Sequence, residues 1–124
     1  MSDGHVLIVD DDADLLEVTE LLLRDAGYQT RTALNGRQAL DAVNASMPSL
    51  IILDMLMPVM DGWQFAQAFR AQHGCSVPIV VVTAAEHARA RSQGLDAVEV
   101  LNKPFNAGDL LNAVGRHFHV MTKS

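Results

Sequence analysis

Five polar residues that could do chemistry stand just after apolar stretches of the sequence. They are Asp10, Asp11, Asp54, Thr83 and Lys103. Carboxylates held at close range repel one another unless a cation intervenes, and carboxylate oxygens suit a hard ion such as Mg²⁺. A lysine and a threonine can both contact phosphate oxygens, and an aspartate can act as a nucleophile that forms an acyl phosphate. If these residues lie close together in the folded protein, their chemistry predicts an aspartate that accepts a phosphoryl group beside Mg²⁺, a threonine and a lysine.

The elements that would position these residues are five short runs that alternate with helix-like segments. The runs cover residues 5–9, 28–33, 50–53, 78–82 and 97–101. The first, third and fourth are almost continuously apolar, as expected for strands buried on both faces of a parallel sheet. The second, YQTRTA, alternates polar and apolar residues, which favours an edge strand.

The segment after the first run predicts a helix. Its apolar residues Leu15, Val18, Leu22 and Ala26 recur at helical spacing. Asp12 or Asp14 could cap the start of this helix, and Gly27 could end it.

Three further helices carry start signals, and a fourth is weaker. Asn35 and Asp61 are each followed three residues later by a glutamine, the spacing of a capping box, and Asn106 could cap the last helix. Residues 84–94 predict a short helix with little amphipathic character. The alternation gives a (βα)5 chain, and therefore a doubly wound α/β fold with a parallel sheet and helices on both faces. In such folds ligands bind at the carboxyl ends of the strands, where the five polar residues lie.

Composition restricts the class of protein further. The 124 residues fit one domain, and a net charge of −6 argues against a basic nucleic-acid surface, so no direct nucleic-acid contact is expected. Cys75 is the single cysteine, and it cannot form an internal disulfide. No secretory leader or apolar run of about 18 residues is present, which predicts a cytoplasmic protein that does not contact a membrane.

Four motifs together resemble the receiver domain of two-component response regulators, the fold of the chemotaxis response regulator. They are VLIVDDD (6–12), LIILDMLMPVMDGW (50–63), IVVVTA (79–84) and NKPF (102–105). The resemblance covers essentially the whole chain, and it implies one receiver domain over residues 1–124. It also implies a flavodoxin-like five-stranded sheet in the order 2-1-3-4-5.

The resemblance also implies a role for each site residue. Asp54 would be the phosphoacceptor. Mg²⁺ would be held by Asp10, Asp11 and Asp54 together with the backbone carbonyl of Leu56. Thr83 and Lys103 would contact the phosphoryl group, and the Lys103–Pro104 bond would be cis. Val100 stands where the family often has an aromatic residue that moves with the threonine, so a readout through ring movement is not expected here.

The implied function is phosphotransfer signalling. A sensor histidine kinase or a histidine phosphotransfer protein would donate the phosphoryl group, and a downstream effector protein or domain would respond. The resemblance also allows a homodimer. The domain would phosphorylate itself without being a turnover enzyme.

Other functions stay open to different degrees. The first alternative is an interaction module that uses the same fold without phosphorylation. A phosphohydrolase would need a second aspartate at position 56, where this sequence has leucine. A flavodoxin-like cofactor binder would need a Ser-, Thr- or Gly-rich loop after the first strand, where the sequence reads DDDAD.

Overall fold

The computed structural model describes residues 4–55, 57, 59–74, 76–83, 97–103 and 105–118. Within them the strands are β1 (Val6–Val9), β2 (Thr30–Ala33), β3 (Leu50–Asp54), β4 (Ile79–Thr83) and β5 (Glu99–Asn102). The helices are α1 (Ala13–Asp25), α2 (Gly36–Ala45), α3 (Gly62–His73) and α4 (Ala107–His117). The helix predicted over 84–94 lies outside the described residues. No described helix has the length and apolar character needed to span a membrane.

The five strands form one parallel sheet in the order β2-β1-β3-β4-β5. This confirms the predicted order and the polar edge strand, because within the described part of the chain β2 pairs only with β1. All residues of β1, β3 and β4 are buried, as their continuous apolar runs predicted. The carboxyl ends of these strands consequently lie at one edge of the sheet.

Helices cover both faces of the sheet, and each face has its own core. One core joins α2 and α3 to the sheet, and its largest fully buried side chains include Phe65 and Phe69. The other core joins α1 and α4 to the opposite face through residues such as Leu23 and Leu110. The alternation of side chains along each strand supplies both cores, as a doubly wound fold requires.

The predicted helix caps are confirmed at every described start. The side chain of Asp12 accepts hydrogen bonds from the first turn of α1, and the side chain of Asn106 accepts one from the first turn of α4. Asp61 and Gln64 form a complete capping box at α3. At α2 the Asn35 side chain accepts from the Gln38 N–H, but the Gln38 side chain bonds to the N–H of Leu34 instead of that of Asn35.

The buried face of α1 differs from the apolar residues that revealed the helix in the sequence. The residues it buries are Leu16, Thr19 and Leu23, while Val18 is 52% exposed. Two stripes with the same helical period run along this helix: the one that revealed the helix in the sequence, and the one formed by Leu16, Thr19 and Leu23. The second stripe is the one that is buried in the folded protein. Periodicity alone cannot separate two such stripes, because both satisfy the helical spacing.

The buried histidine before β1 makes stability depend on pH. His5 is only 6% exposed, and burial, together with the charge of Arg31, lowers the pKa of its imidazole. The folded protein therefore disfavours the protonated imidazole. The free energy of unfolding is unaffected above the unfolded pKa of about 6.5 and decreases as pH falls below that value, by at most about 1.4 kcal/mol per pH unit. We expect His5→Gln to flatten the decline in unfolding free energy between about pH 6.5 and pH 5. Urea titrations across that range would measure it, and an unchanged slope would contradict the assignment.

Candidate functional site

The ends of four adjacent strands bring the predicted site residues to one edge of the sheet. Asp10 directly follows β1, Asp54 ends β3, Thr83 ends β4 and Lys103 follows β5. Asp10, Asp54 and Thr83 are all buried. Residues up to 93 positions apart in the sequence are thus placed side by side by the strand order.

The ammonium group of Lys103 connects two of the aspartates. Its Nζ lies 3.0 Å from Oδ2 of Asp10 and 3.3 Å from Oδ2 of Asp54. The side chain is only 21% exposed, so these ion pairs are largely shielded from water. The positive charge offsets part of the repulsion between the two carboxylates.

Opposing effects act on the pKa of Lys103. Burial lowers the pKa of the ammonium, whereas the hydrogen bond to Asp10 and the charges of Asp54 and Asp10 raise it. The net result is a pKa above the ordinary value of 10.5. Lys103 is therefore a permanent cation at physiological pH.

Asp11 completes a cluster of three carboxylates. Asp10, Asp11 and Asp54 each offer an oxygen, and these oxygens all lie within 4.8 Å of one another. Asp11 is exposed, so the cluster is open to solvent on one side. Oxygen donors grouped around an open side fit a hard divalent cation such as Mg²⁺, which keeps several waters when bound.

Asp10 is held by two donors. Its Oδ1 accepts a hydrogen bond of 2.9 Å from the N–H of Asp12, and its Oδ2 accepts from Lys103. The carboxylate is consequently fixed relative to the start of α1. Asp12 itself caps that helix, as predicted, and is not part of the carboxylate cluster.

A backbone bond ties the other two site residues together. The N–H of Lys103 donates to the carbonyl of Thr83 over 2.9 Å, one step beyond the β4–β5 pair of Thr83 and Asn102. The main chain of Lys103 is thereby held by the end of β4. Leu56 and Pro104, for which a carbonyl ligand and a cis bond were expected, lie outside the described residues.

The segment after Asp54 contains a strained residue that the sequence did not indicate. Val59 has φ of 69°, in the left-handed region that β-branched residues avoid at a cost of about 1–2 kcal/mol. Its side chain is 82% exposed and gains little from packing. We expect Val59→Asn to raise the free energy of unfolding by about 1 kcal/mol, because asparagine tolerates this conformation.

The matched control for that prediction is Val18→Asn. Val18 is also an exposed valine, at 52%, but it lies within α1, where valine and asparagine have similar propensity. Urea denaturation should therefore detect a gain for the substitution at position 59 and little change for the one at position 18. Equal effects at both positions would remove the case for strain at Val59.

Two further features of this site were not predicted from the sequence. The dual contact of Lys103 with Asp10 as well as Asp54 depends on the distance between β1 and β5 in the folded sheet. The other feature is the close packing of Gly62 against the backbone of Asp54, for which the glycine itself was the available signal.

A sequence model described as the response regulator receiver domain matches residues 6–115. The chain belongs to this family. Curated relatives include the transcriptional regulatory protein PrrA of Mycobacterium leprae, 38% identical over 116 residues that cover 92% of this chain and 49% of the relative. Another is the DNA-binding response regulator MtrA of Mycobacterium tuberculosis, 38% identical over 89% of this chain and 48% of the relative. The chain thus spans about half the length of these relatives.

Solved receiver structures have the same fold. The chemotaxis protein CheY4 of Vibrio cholerae superposes with a TM-score of 0.86 at 34% identity, covering 94% of this chain and 99% of that one. The response regulator TrrA of Thermotoga maritima, solved in complex with Mg²⁺ and BeF, gives 0.83 at 31% identity over 91% and 97% of the two chains. The flavodoxin-like arrangement predicted from the sequence is confirmed.

Val100 occupies β5 of this receiver domain, three residues before Lys103. It is half-buried and packs against the core on the α2–α3 face. A valine at this position has no ring that could move between a buried and an exposed state.

Proposed function

We propose that this receiver domain accepts a phosphoryl group on Asp54 with the help of Mg²⁺. The observation that carries the proposal is the meeting of the Lys103 ammonium with Asp10 and Asp54 beside the exposed Asp11. A carboxylate is a competent nucleophile for phosphorus. The ammonium of Lys103 on one side and a bound Mg²⁺ on the other would let an anionic phosphoryl donor approach it.

In the proposed reaction an oxygen of Asp54 forms a bond to the phosphorus atom of the donor. The bond between phosphorus and the donor's imidazole nitrogen breaks, and the imidazole keeps the electron pair. Bound Mg²⁺ would supply charge neutralisation for the transferred oxygens. Lys103 stabilises the same charge as a fixed cation, and the hydroxyl of Thr83 can donate to a phosphoryl oxygen.

The contacts of Asp10 support different roles for the carboxylates in binding Mg²⁺. Both of its oxygens already accept hydrogen bonds, one from the N–H of Asp12 and one from Lys103. This supports direct coordination by Asp11 and Asp54 and contact of Asp10 through water. The carbonyl of Leu56 would complete the set of protein ligands, and waters would fill the remaining positions.

The partners follow from this role. The phosphodonor would be the phosphohistidine of a sensor kinase or of a phosphotransfer protein, and the acceptor domain would not turn over as an enzyme. Phosphorylation would shift an equilibrium between inactive and active conformations that an effector protein or domain reads. We assign residues 1–124 to the receiver domain, acting in the cytoplasm without contacting nucleic acid itself. DNA binding is named for the relative MtrA, of which this chain covers 48%.

Intact-mass measurement after incubation with acetyl phosphate tests the proposal. We expect the protein to gain the mass of one phosphoryl group in Mg²⁺ buffer and to gain none after the metal is chelated. Peptide mapping should place the modification on Asp54. Absence of any gain with Mg²⁺, or a modification that maps elsewhere, would overturn the assignment.

A second candidate is a receiver domain that binds its partner without being phosphorylated. The observation in its favour is Val100, which leaves the domain without a switch aromatic at that position. This candidate predicts that a partner binds equally well to protein treated with acetyl phosphate and to Asp54→Asn. Partner affinity that rises with phosphorylation would exclude it.

A further inference from the structure

The start of α2 approaches the backbone after Asp54 unusually closely. Gly36, the first residue of α2, is buried, and its N–H donates to the carbonyl of Met60 over 2.9 Å. A methyl group built on Gly36 would lie 2.7 Å from both that carbonyl oxygen and the Met60 Cγ. A glycine is therefore required here, since a carbonyl oxygen cannot move aside as a flexible side chain can.

A second close approach involves the residue two positions after Met60 in the sequence. Gly62 is the first residue of α3, and its N–H donates to the carbonyl of Met55 over 3.2 Å. A methyl group on Gly62 would collide with the carbonyl oxygen of Asp54 and lie 2.8 Å from the Met55 Cα. The start of α3 thus rests directly on the backbone that carries Asp54.

Asp61, which lies between Met60 and Gly62, is held by hydrogen bonds to both its side chain and its backbone N–H. The Asp61 side chain accepts from the N–H of Gln64 over 2.8 Å, and the Asp61 N–H donates to the Gln64 side chain over 3.0 Å. This capping box fixes Asp61, the residue between Met60 and Gly62, to the first turn of α3. A displacement at Met60 is therefore passed to Gly62 instead of being absorbed between them.

We propose that Gly36 is a positioning residue for Asp54. Contact with Gly36 sets the place of Met60, and the segment 60–62 transmits that place to the backbone of Asp54 through Gly62. The start of α2 is in this way connected to the phosphoacceptor by close main-chain contacts at Gly36 and Gly62, with the Asp61–Gln64 capping box between them. The inference rests on the function proposed above for Asp54, and it adds that the N-terminus of α2 controls how well the carboxylate is placed.

The test compares Gly36→Ala with two controls at saturating Mg²⁺, well below the unfolding temperature. Gly115→Ala makes the same change in α4, where the added methyl would meet, among the described residues, only the Tyr28 hydroxyl at 3.9 Å. Val43→Ala destabilises α2 from within its buried face, about two helical turns beyond Gly36. We expect Gly36→Ala to slow phosphorylation of Asp54 by acetyl phosphate about tenfold, because sub-ångström misplacement of a reacting group is costly. Both controls should react at the wild-type rate.

Thermal unfolding separates positioning from loss of stability. If Val43→Ala lowers the midpoint as much as Gly36→Ala and also slows the reaction equally, Gly36 acts only through stability and the proposal fails. A wild-type rate for Gly36→Ala would also overturn it. The double variant Gly36→Ala with Met60→Ala should recover only part of the rate, because the Met60 carbonyl remains in the way; full recovery would contradict the main-chain path.

A readout that does not need phosphorylation keeps this inference distinct from the proposed function. Backbone amide NMR shifts of Asp54 and Met55 should change in Gly36→Ala and stay unchanged in Gly115→Ala. Shifts confined to the α2 region would overturn the path even if wild-type protein is phosphorylated. Shifts that reach Asp54 would support the path even if acetyl phosphate fails to modify the protein.

Discussion

Asp54→Asn should abolish phosphorylation by acetyl phosphate, lowering its rate by at least about a thousandfold, the scale on which loss of a nucleophile acts. The amide keeps the shape of the carboxylate, but it lacks the charged oxygen that would attack phosphorus. The substitution also removes one charge from the buried side of the site, where Asp54 faces Lys103 at 3.3 Å. Intact-mass spectrometry over time in Mg²⁺ buffer measures the effect.

The matched control for this loss is Asp12→Asn. Asp12 lies two residues after Asp10, and its replacement changes the net charge by the same amount. Asparagine still caps α1, since its side-chain oxygen accepts the same N–H bonds. We expect Asp12→Asn to be phosphorylated at close to the wild-type rate. If Asp54→Asn keeps the wild-type rate, the phosphoacceptor assignment is wrong.

Lys103→Met should lower the free energy of unfolding by about 3 kcal/mol at neutral pH in the absence of Mg²⁺. It leaves the buried carboxylates of Asp10 and Asp54 without the ammonium that contacts both. Because the pKa of Lys103 is raised in the folded protein, its stabilising contribution is complete below the ordinary value of 10.5 and is lost as pH rises above that value, so the deficit should shrink toward high pH.

Urea titrations at several pH values, with and without Mg²⁺, measure this deficit. Added Mg²⁺ should restore part of the lost stability, because the ion replaces the missing positive charge. Arg24→Met is the control: Arg24 forms an ion pair of 3.0 Å with Glu20, but its side chain is 60% exposed. We expect less than about 1 kcal/mol for that variant and no response to Mg²⁺. A deficit for Lys103→Met that ignores both pH and Mg²⁺ would show that the loss is one of packing.

The sequence was sufficient for the fold because its signals agreed. The continuous apolar runs placed the central strands, the polar run 28–33 placed the edge, and each described cap lies at or within a residue of its predicted position. The rule that ligands bind at the carboxyl ends of parallel strands then located the site. It succeeded because Asp54 and Thr83 end strands whose interiors contain no other polar residue.

What the sequence could not supply depends on distances between elements. The choice of Leu16 and Thr19 over Val18 as the buried face of α1 is made by the sheet, not by the helical period. The left-handed backbone of Val59 contradicts the preference of its own residue type, so no local signal could predict it. The need for glycine at position 36 arises from Met60, which approaches it only in the folded chain.

The strand order has a consequence for how the domain folds. Strands β2, β1 and β3 are neighbours in space and all lie within the first 54 residues, whereas β4 and β5 add successively at one edge. The β1–β3 pairing joins Val6 to Leu50, a longer separation in sequence than the Ile51–Ile79 pairing of β3 with β4 or the Val80–Glu99 pairing of β4 with β5. Because contacts that close shorter loops should form earlier, β3, β4 and β5 should pair before β1 joins β3. Asp54, Thr83 and Lys103 would then be brought together before Asp10 arrives with the end of β1.

A matched pair of substitutions measures that order of events. Ile8 in β1 and Ile79 in β4 are both buried within strands of the sheet. We expect Ile79→Val to act mainly by slowing refolding, and Ile8→Val to act mainly by speeding unfolding, in stopped-flow experiments. If both substitutions divide their effects between the refolding rate and the unfolding rate in the same proportion, the sheet forms in one concerted step. The predicted asymmetry would mean that the Asp54 carboxylate and Lys103 lie in the early-folding part of the sheet and that Asp10 is the last site residue to arrive.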